Sequence, residues 1–400
     1  MIELAVNLNK LLQSNSGVFL RCSPELLDFT QNINFKIKVN DLIIEVDDLL
    51  NILSLLKTAI NIPIIAWNIK NLYSYALFKT GTHLQFETKV FDLRIAESFL
   101  GMDKKIPVDY AEAKERFKAV IADWGNFKNL YQQIYFPLLS EVIPSIESEG
   151  LIQDRKILYS CYDVSGHGRL SCYKAFDNYF LPHTLSREQR AIIKPKGNEY
   201  SFLYFDFHCM EVSMMAWLSK DAYLSELVNG KEDFYKVLYK LITGVSDDNK
   251  RDLCKNIFLP VVYGQQAKSL AKNLNFTIGT AEKIISRLEK LFPKLFDWLG
   301  SYRNIDYFGR KRYFEGGEEY KYRNFIVQAP AAMVCLERLI GLYQELQDYG
   351  IIVATIHDGY LVKAKQVEIT KAICMRSLET ESKLCPGLKL KVNYKNYVDS

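Results

Sequence analysis

Two aspartates, Asp206 and Asp358, each close an apolar, strand-like run, and between them lies Arg251-Asp252-Leu253-Cys254-Lys255, followed by Tyr263-Gly264. An acid, a basic helix and a second acid form an arrangement suited to nucleotidyl transfer. Two carboxylates at adjacent strand ends can hold a pair of Mg²⁺ ions about 4 Å apart. Magnesium takes its remaining ligands from phosphate oxygens and water. One ion lowers the pKa of an attacking hydroxyl and the other steadies a leaving pyrophosphate. Arg251, Lys255, Leu259 and Tyr263 recur every four residues and so share one helix face. Arg and Lys one turn apart can grip β- and γ-phosphates, and an aromatic further along can bound a base pair. Taken singly, each feature has an ordinary alternative. Asp is common at strand ends and turns, and a basic stripe is usually a solvated helix face.

The elements that must position these residues follow from pattern. Ser201–Phe207 reads as a strand ending at the first acid. Ile351–Ile356 and Tyr360–Val362 are β-branched runs joined through His357-Asp358-Gly359, which predicts a tight hairpin turning on Asp-Gly, with Asp358 at its tip. Residues 221–303 are helical, broken at Gly230 and Pro293, and 326–347 form one long helix with Met333, Leu336, Leu339, Ile340 and Tyr343 on its apolar face. The stretch 155–218 reads as strands alternating with turns. Residues 110–150 are helical, with Leu130, Ile134, Leu138, Val142 and Ile146 at four-residue steps. Short apolar runs before residue 105 (Gly17–Leu20, Phe35–Val39, Leu42–Val46, Leu49–Ile60, Ile62–Trp67) read as a small α/β module.

Bulk properties set bounds on this reading. The chain has 400 residues, 48% apolar and 24% charged, which allows two or three domains with a large core. Net charge is +4, so a polyanion partner must meet a local patch rather than a basic surface. The 8 cysteines show no C-x-x-C or zinc spacing and read as reduced core thiols of a cytoplasmic protein. No signal-like start and no apolar run of about 20 residues is present, so no membrane is expected. His83, His167, His183 and His208 lack ligand spacing.

In combination, these residues resemble the family A, DNA polymerase I-like, DNA polymerases. Asp206-Phe207-His208-Cys209-Met210-Glu211 resembles motif A, Arg251 to Lys255 with Tyr263-Gly264 resembles motif B, and His357-Asp358 resembles motif C. Gly168-Arg169-Leu170-Ser171 is similar to the arginine segment that opens the palm. Phe308-Gly309-Arg310-Lys311-Arg312 is similar to the Gly-Arg-basic turn, and Asn324 with Gln328 to the Asn-x-x-x-Gln helix. The resemblance implies that Asp206, the Phe207 carbonyl and Asp358 bind two Mg²⁺ ions. It implies dNTP contacts from Arg251, Lys255, Leu259, Tyr263 and Glu211, the last excluding a 2′-hydroxyl. It implies primer–template DNA contacts from Arg169, Asn324, Gln328, His357 and Arg310.

Several positions depart from that pattern. Gly359 stands where an acid usually follows the motif C aspartate, Leu259 replaces an aromatic, Pro260 a glycine and Ser213 an arginine. The helix Leu130–Asp154 resembles the start of a thumb, yet palm motifs begin near Ile157, which predicts a reduced thumb and poor processivity. Ile65 to Lys70 and Phe91-Asp92-Leu93 resemble a ribonuclease-H-like 3′–5′ exonuclease domain. Its acids are missing, because Arg21-Cys22-Ser23, Leu72 and Lys114 stand where carboxylates belong.

The expected fold is therefore α+β, a right-hand polymerase with an antiparallel palm sheet, helical fingers and a short thumb, preceded by a ribonuclease-H-like α/β domain. Expected boundaries are 1–106 for the degenerate exonuclease-like domain, 107–155 for the thumb helices, 156–220 and 304–400 for the palm, and 221–303 for the fingers. The expected activity is DNA synthesis on a primer 3′-OH without proofreading, by a monomer, with a processivity factor or a helicase/primase as protein partner. The alternatives are a single-subunit RNA polymerase-like enzyme, against which Glu211 argues, and a catalytically silent DNA-binding subunit.

Overall fold

The computed structural model describes residues 18–21, 36–39, 42–45, 64–85, 90–102, 105–174, 179–395 and 397. The chain forms two compact units. One comprises Met1–Phe205, Leu336–Ser377 and Tyr394–Ser400, the other Asp206–Cys335 and Leu378–Asn393.

The first unit opens with a mixed five-stranded sheet of β1 (Val18–Arg21), β2 (Lys36–Val39), β3 (Leu42–Glu45), β4 (Ile64–Trp67) and β5 (Val90–Asp92), in the order β3-β2-β1-β4-β5. The first three strands pair antiparallel, and β4 runs parallel to both β1 and β5. Four of the short apolar runs read from sequence thus become strands. The fifth, Leu49–Ile60, lies outside the described residues, as do Cys22 and Ser23. Ile64 to Trp67 are buried throughout, which explains why this strand shows an unbroken apolar run rather than alternation. The helix Ile69–Thr80 follows and stops at Gly81, whose φ of +69° few other residues adopt cheaply.

Helices Tyr110–Ala122 and Phe127–Glu149 come next, separated by a turn holding Gly125. The second contains two stretches of i→i+5 winding, Tyr131–Tyr135 and Leu138–Val142. The sequence explains them. Pro137 and Pro144 cannot donate, and a proline ring crowds the carbonyl four residues back, so a wider turn relieves the clash. In an α-helix, residues four apart drift around the axis by about 40° per step. Wider turns reduce that drift, and Leu130, Ile134, Leu138, Val142 and Ile146 are all buried.

From Gly150 the chain enters the hairpin β6 (Leu151–Gln153) and β7 (Lys156–Leu158), turning on Asp154 and Arg155, both at positive φ. It passes directly to the antiparallel pair β8 (Cys161–Val164) and β9 (Leu170–Tyr173). The central sheet contains β10 (Ser201–Phe207), β11 (Gly350–Ile356), β12 (Gly359–Ala364) and β13 (Val392–Lys395), in the order β11-β12-β10-β13. Tyr162 is fully buried and its hydroxyl accepts the Thr355 amide at 2.9 Å, tying β8 to β11.

The second unit is helical, with Met210–Ser219, Ala222–Asn229, Phe234–Thr243, Arg251–Val262, Ala267–Leu274, Ile278–Leu291 and Pro293–Gly300. Phe234, Leu238, Phe258, Val262, Phe292 and Phe325 fill its core. Met210–Ser219 falls where strands and turns were expected. Seven of its ten residues are buried, so it carries no amphipathic period to read. Pro260 sits inside Arg251–Val262 without ending that helix. The long helix Tyr322–Leu346 starts four residues earlier than expected and contains Pro330. By length and composition alone it passes as a membrane span, which the sequence reading had not found. Its apolar window is 78% buried inside the protein, the position of a core helix.

Candidate active site

In the first unit, β11 and β12 form the expected hairpin, but its turn is His357–Asp358, because Ile356 already pairs with Gly359. His357 adopts φ +56°, a conformation a two-residue hairpin loop demands of its first residue and usually obtains from glycine. Such strain in a non-glycine residue concentrates at functional sites. The imidazole is exposed, 5.7 Å from the His183 ring, and Asp358 is half-buried beside it. Gly359 opens β12 next to β10. A Cβ built there would lie 2.8 Å from the Phe205 carbonyl oxygen and 2.8 Å from the Tyr204 ring. Any side chain at this position, an acid included, would collide with the neighbouring strand, which accounts physically for the departure at 359. Arg169 follows Gly168 at the turn between β8 and β9, where its carbonyl accepts the Ser165 amide at 2.9 Å.

In the second unit, Asp206 is half-buried at the end of β10, and the Phe207 side chain is buried. Cys209, at φ +51°, turns the chain into Met210–Ser219 and brings Glu211 into the first turn of that helix. Glu211 is the hub of a small network. Its Oε2 accepts the Tyr263 hydroxyl at 2.5 Å, and its Oε1 accepts Gln328 Nε2 at 2.9 Å. Three segments far apart in sequence therefore meet at one carboxylate. Asn324 lies one turn before Gln328, half-buried.

On the helix Arg251–Val262, Lys255 is exposed and Leu259 packs partly against the core. Arg251 Nε donates to Asp233 Oδ2 at 2.9 Å, and its guanidinium lies over the Tyr235 ring at 5.4 Å. Burial alone would push the Asp233 carboxyl up, but Arg251 and the Lys236 amide hold it below the usual carboxylate range. The sequence reading passed over Asp233. Its signal was an N-cap position, directly before the amphipathic helix Phe234–Thr243. Burial lowers the His208 pKa against the opposing pull of Asp233, whose Oδ2 is 3.9 Å from Nε2.

Arg310 differs from expectation. It is 1% exposed and faces Asp306, which accepts the amides of Phe308 and Arg310 at 2.9 and 2.8 Å. So enclosed a guanidinium has no surface to offer DNA in this conformation. Its backbone closes the turn, the Arg310 amide donating to Asp306 Oδ1 and the Asp306 amide to the Arg310 carbonyl, and the half-buried Lys311 and Arg312 follow.

The candidate donors are oxygens of the type Mg²⁺ takes. The Asp206 carboxylate and Phe207 carbonyl of the second unit, and the Asp358 carboxylate of the first, are each hard oxygen donors, whereas burial pushes the Cys209 thiol up to about 12, leaving it protonated. Among the described residues no three His, Cys, Asp or Glu side chains cluster as a metal cage. Magnesium held by so few protein oxygens would complete its shell from phosphate and water.

Asp92, the one acid left where exonuclease-like motifs were sought, is fully engaged. It is 1% exposed, and its oxygens accept the amides of Ile69, Arg94 and Ile95 at 2.9, 3.1 and 3.3 Å. It is a helix cap. Lys70 is buried against Glu147 at 2.8 Å, with Ser74 on the same carboxylate at 2.5 Å.

The first unit thus carries one candidate acid at a hairpin turn, and the second carries another on β10 beside a basic helix whose end, at Tyr263, meets Gln328 at the Glu211 carboxylate. The family model for DNA polymerase family A matches residues 111–397, and the chain belongs to that family. It is similar to DNA polymerase theta of Caenorhabditis elegans, at 24% identity over 42% of this chain and 11% of that protein. It is similar to DNA polymerase I of Synechocystis, at 25% over 42% and 17%, and to the thermostable DNA polymerase I of Thermus thermophilus, at 25% over 52% and 28%. The chain thus spans less than a third of the length of these curated relatives.

Proposed function

We propose that this chain carries out template-directed DNA synthesis, adding dNTPs to a primer 3′-OH. The observation that carries the reading is the family match over 111–397, which includes all six motifs. The meeting of Tyr263 and Gln328 at Glu211 supports it. Asp206, the Phe207 carbonyl and Asp358 are the residues that would hold two Mg²⁺ ions, which when bound activate the primer hydroxyl and neutralise charge on the leaving pyrophosphate. Arg251 and Lys255 bind the triphosphate and fix its orientation. Tyr263 bounds the nascent pair. Glu211, held by two hydrogen bonds, fills the space a ribose 2′-hydroxyl needs and so selects dNTP over rNTP. Gln328, Asn324, Arg169 and His357 contact primer–template DNA, with Lys311 and Arg312 in place of the enclosed Arg310. Positioning and electrostatics account for most of the acceleration.

The module before residue 106 is an exonuclease-like fold without nuclease function. Support comes from its mixed sheet and from Asp92 and Lys70, both committed to structural bonds. The thumb is reduced, which the direct passage from Glu149 through the β6–β7 hairpin to β8 supports. Fewer phosphate contacts mean weaker, more salt-sensitive DNA binding and short products per encounter.

Primer extension with Mg²⁺ and dNTPs, run beside digestion of a single-stranded 3′ end, tests the reading. Extension that is lost in both Asp206→Ala and Asp358→Ala, with no digestion, is the expected result. No extension at any enzyme concentration would leave the silent DNA-binding subunit, and equal use of rNTPs would leave the RNA polymerase-like enzyme.

A further inference from the structure

We infer that Asp233 is a positioning residue for Arg251, and through it sets the affinity for the incoming triphosphate; this rests on the nucleotide-binding role proposed above for Arg251. The carboxylate is fixed before it meets the arginine. Its Oδ1 accepts the amides of Tyr235 and Lys236 at 3.0 and 3.2 Å, capping the helix Phe234–Thr243. Its Oδ2 is thereby aimed at Arg251, whose Nε donates at 2.9 Å. The Tyr235 ring, carried by the residue whose amide is capped, covers the guanidinium at 5.4 Å. One edge and one face of the guanidinium are therefore held.

The remaining edge bears the two terminal nitrogens. Nη1 touches Asp252 at 3.2 Å, but that side chain is 86% exposed, so the contact is weak and exchangeable. An arginine presenting both terminal nitrogens in a fixed plane matches a pair of phosphate oxygens. Without Asp233 the long side chain would have to be ordered when nucleotide binds, at a cost of roughly two- to tenfold in affinity.

Asp233→Asn and Asp233→Ser test this. Both residues cap helices well, so both variants keep the helix start and lose the carboxylate. In primer extension over a dNTP titration, each should raise KM about two- to tenfold with kcat changed far less, and melt near the wild-type temperature. In the Arg251→Ala background the same substitutions should add nothing, because the two residues then share one effect. An unchanged KM, a lowered KM (Asp233 repelling the triphosphate instead), a full effect persisting without Arg251, or two variants that do not fold would each overturn the inference. If the wild-type protein extends no primer, the polymerase reading has failed instead. Calorimetric binding of inorganic tripolyphosphate, which should weaken about two- to tenfold in Asp233→Asn, then decides the role of Asp233 separately.

Discussion

Replacing Gly359 with alanine places a methyl group against the strand that carries Asp206. Its Cβ would lie 2.8 Å from both the Phe205 carbonyl oxygen and the Tyr204 ring, where carbon contacts normally settle at about 3.5–4.0 Å. The deficit is therefore roughly 0.7–1.2 Å by the same contact distances. Tyr204 is 7% exposed, with its ring 6.4 Å from Tyr397, and the carbonyl belongs to sheet backbone. Neither can step aside, so β10 and β12 must separate. Overpacking of this kind costs about 1–3 kcal/mol. Because Phe205 directly precedes Asp206, the same shift reaches the proposed catalytic acid, and a displacement near 1 Å can cost about 100-fold in rate. Primer extension should show kcat reduced about 100-fold with little change in KM for dNTP, and thermal melting should fall. Gly300→Ala is the control. It ends the helix Pro293–Gly300 with nothing within 4 Å of its Cβ, and should be neutral or slightly stabilising. Wild-type rate and stability in Gly359→Ala would refute the steric argument.

Three further outcomes are expected. Lys70→Met should destabilise the first unit by about 3–5 kcal/mol, because Glu147, 1% exposed, would keep a buried charge without its partner; Lys70→Met with Glu147→Gln should recover much of that loss in denaturant melts. Tyr263→Phe removes a hydrogen bond to a carboxylate, worth about 1.5–3 kcal/mol, and should weaken rNTP rejection in competition assays; unchanged discrimination would separate Tyr263 from Glu211. Burial pushes the Asp306 carboxyl up to about 6. The folded state thus holds a proton that the unfolded chain releases near pH 4, so stability from this group is full below about pH 4 and is lost as pH rises toward 6. Carboxyl NMR should find its midpoint near 6, and a midpoint near 4 would contradict the burial argument.

The elements that carry the candidate residues were largely legible because local chemistry fixes them. Asp206 lies near the end of β10, Arg251 and Lys255 stand one turn apart on a helix, and the hairpin carrying Asp358 forms where β-branched runs meet a turn. Three features were hidden for physical reasons. The hairpin turns on His357–Asp358 rather than Asp-Gly because register is settled by pairing across β11 and β12, and the glycine serves a close approach to β10 instead of a positive φ. Met210–Ser219 is buried on most sides and so lacks a period. The burial of Arg310 depends on Asp306 folding back beneath its own turn, which spacing alone does not reveal. The network at Glu211 brings in Gln328 from 117 positions away, a tertiary meeting that no local pattern encodes.

The central sheet is assembled from distant parts of the chain. β10 leaves the ribosome long before β13, its neighbour in the sheet. At about 5–20 residues per second, that gap in translation lasts roughly ten to forty seconds. Throughout it, one edge of β10 stands open to whatever strand comes by, its own or another molecule's. A nascent chain built in this order has reason to depend on chaperones, and stalling shortly before residue 392 should yield aggregates rather than a slightly shortened folded protein.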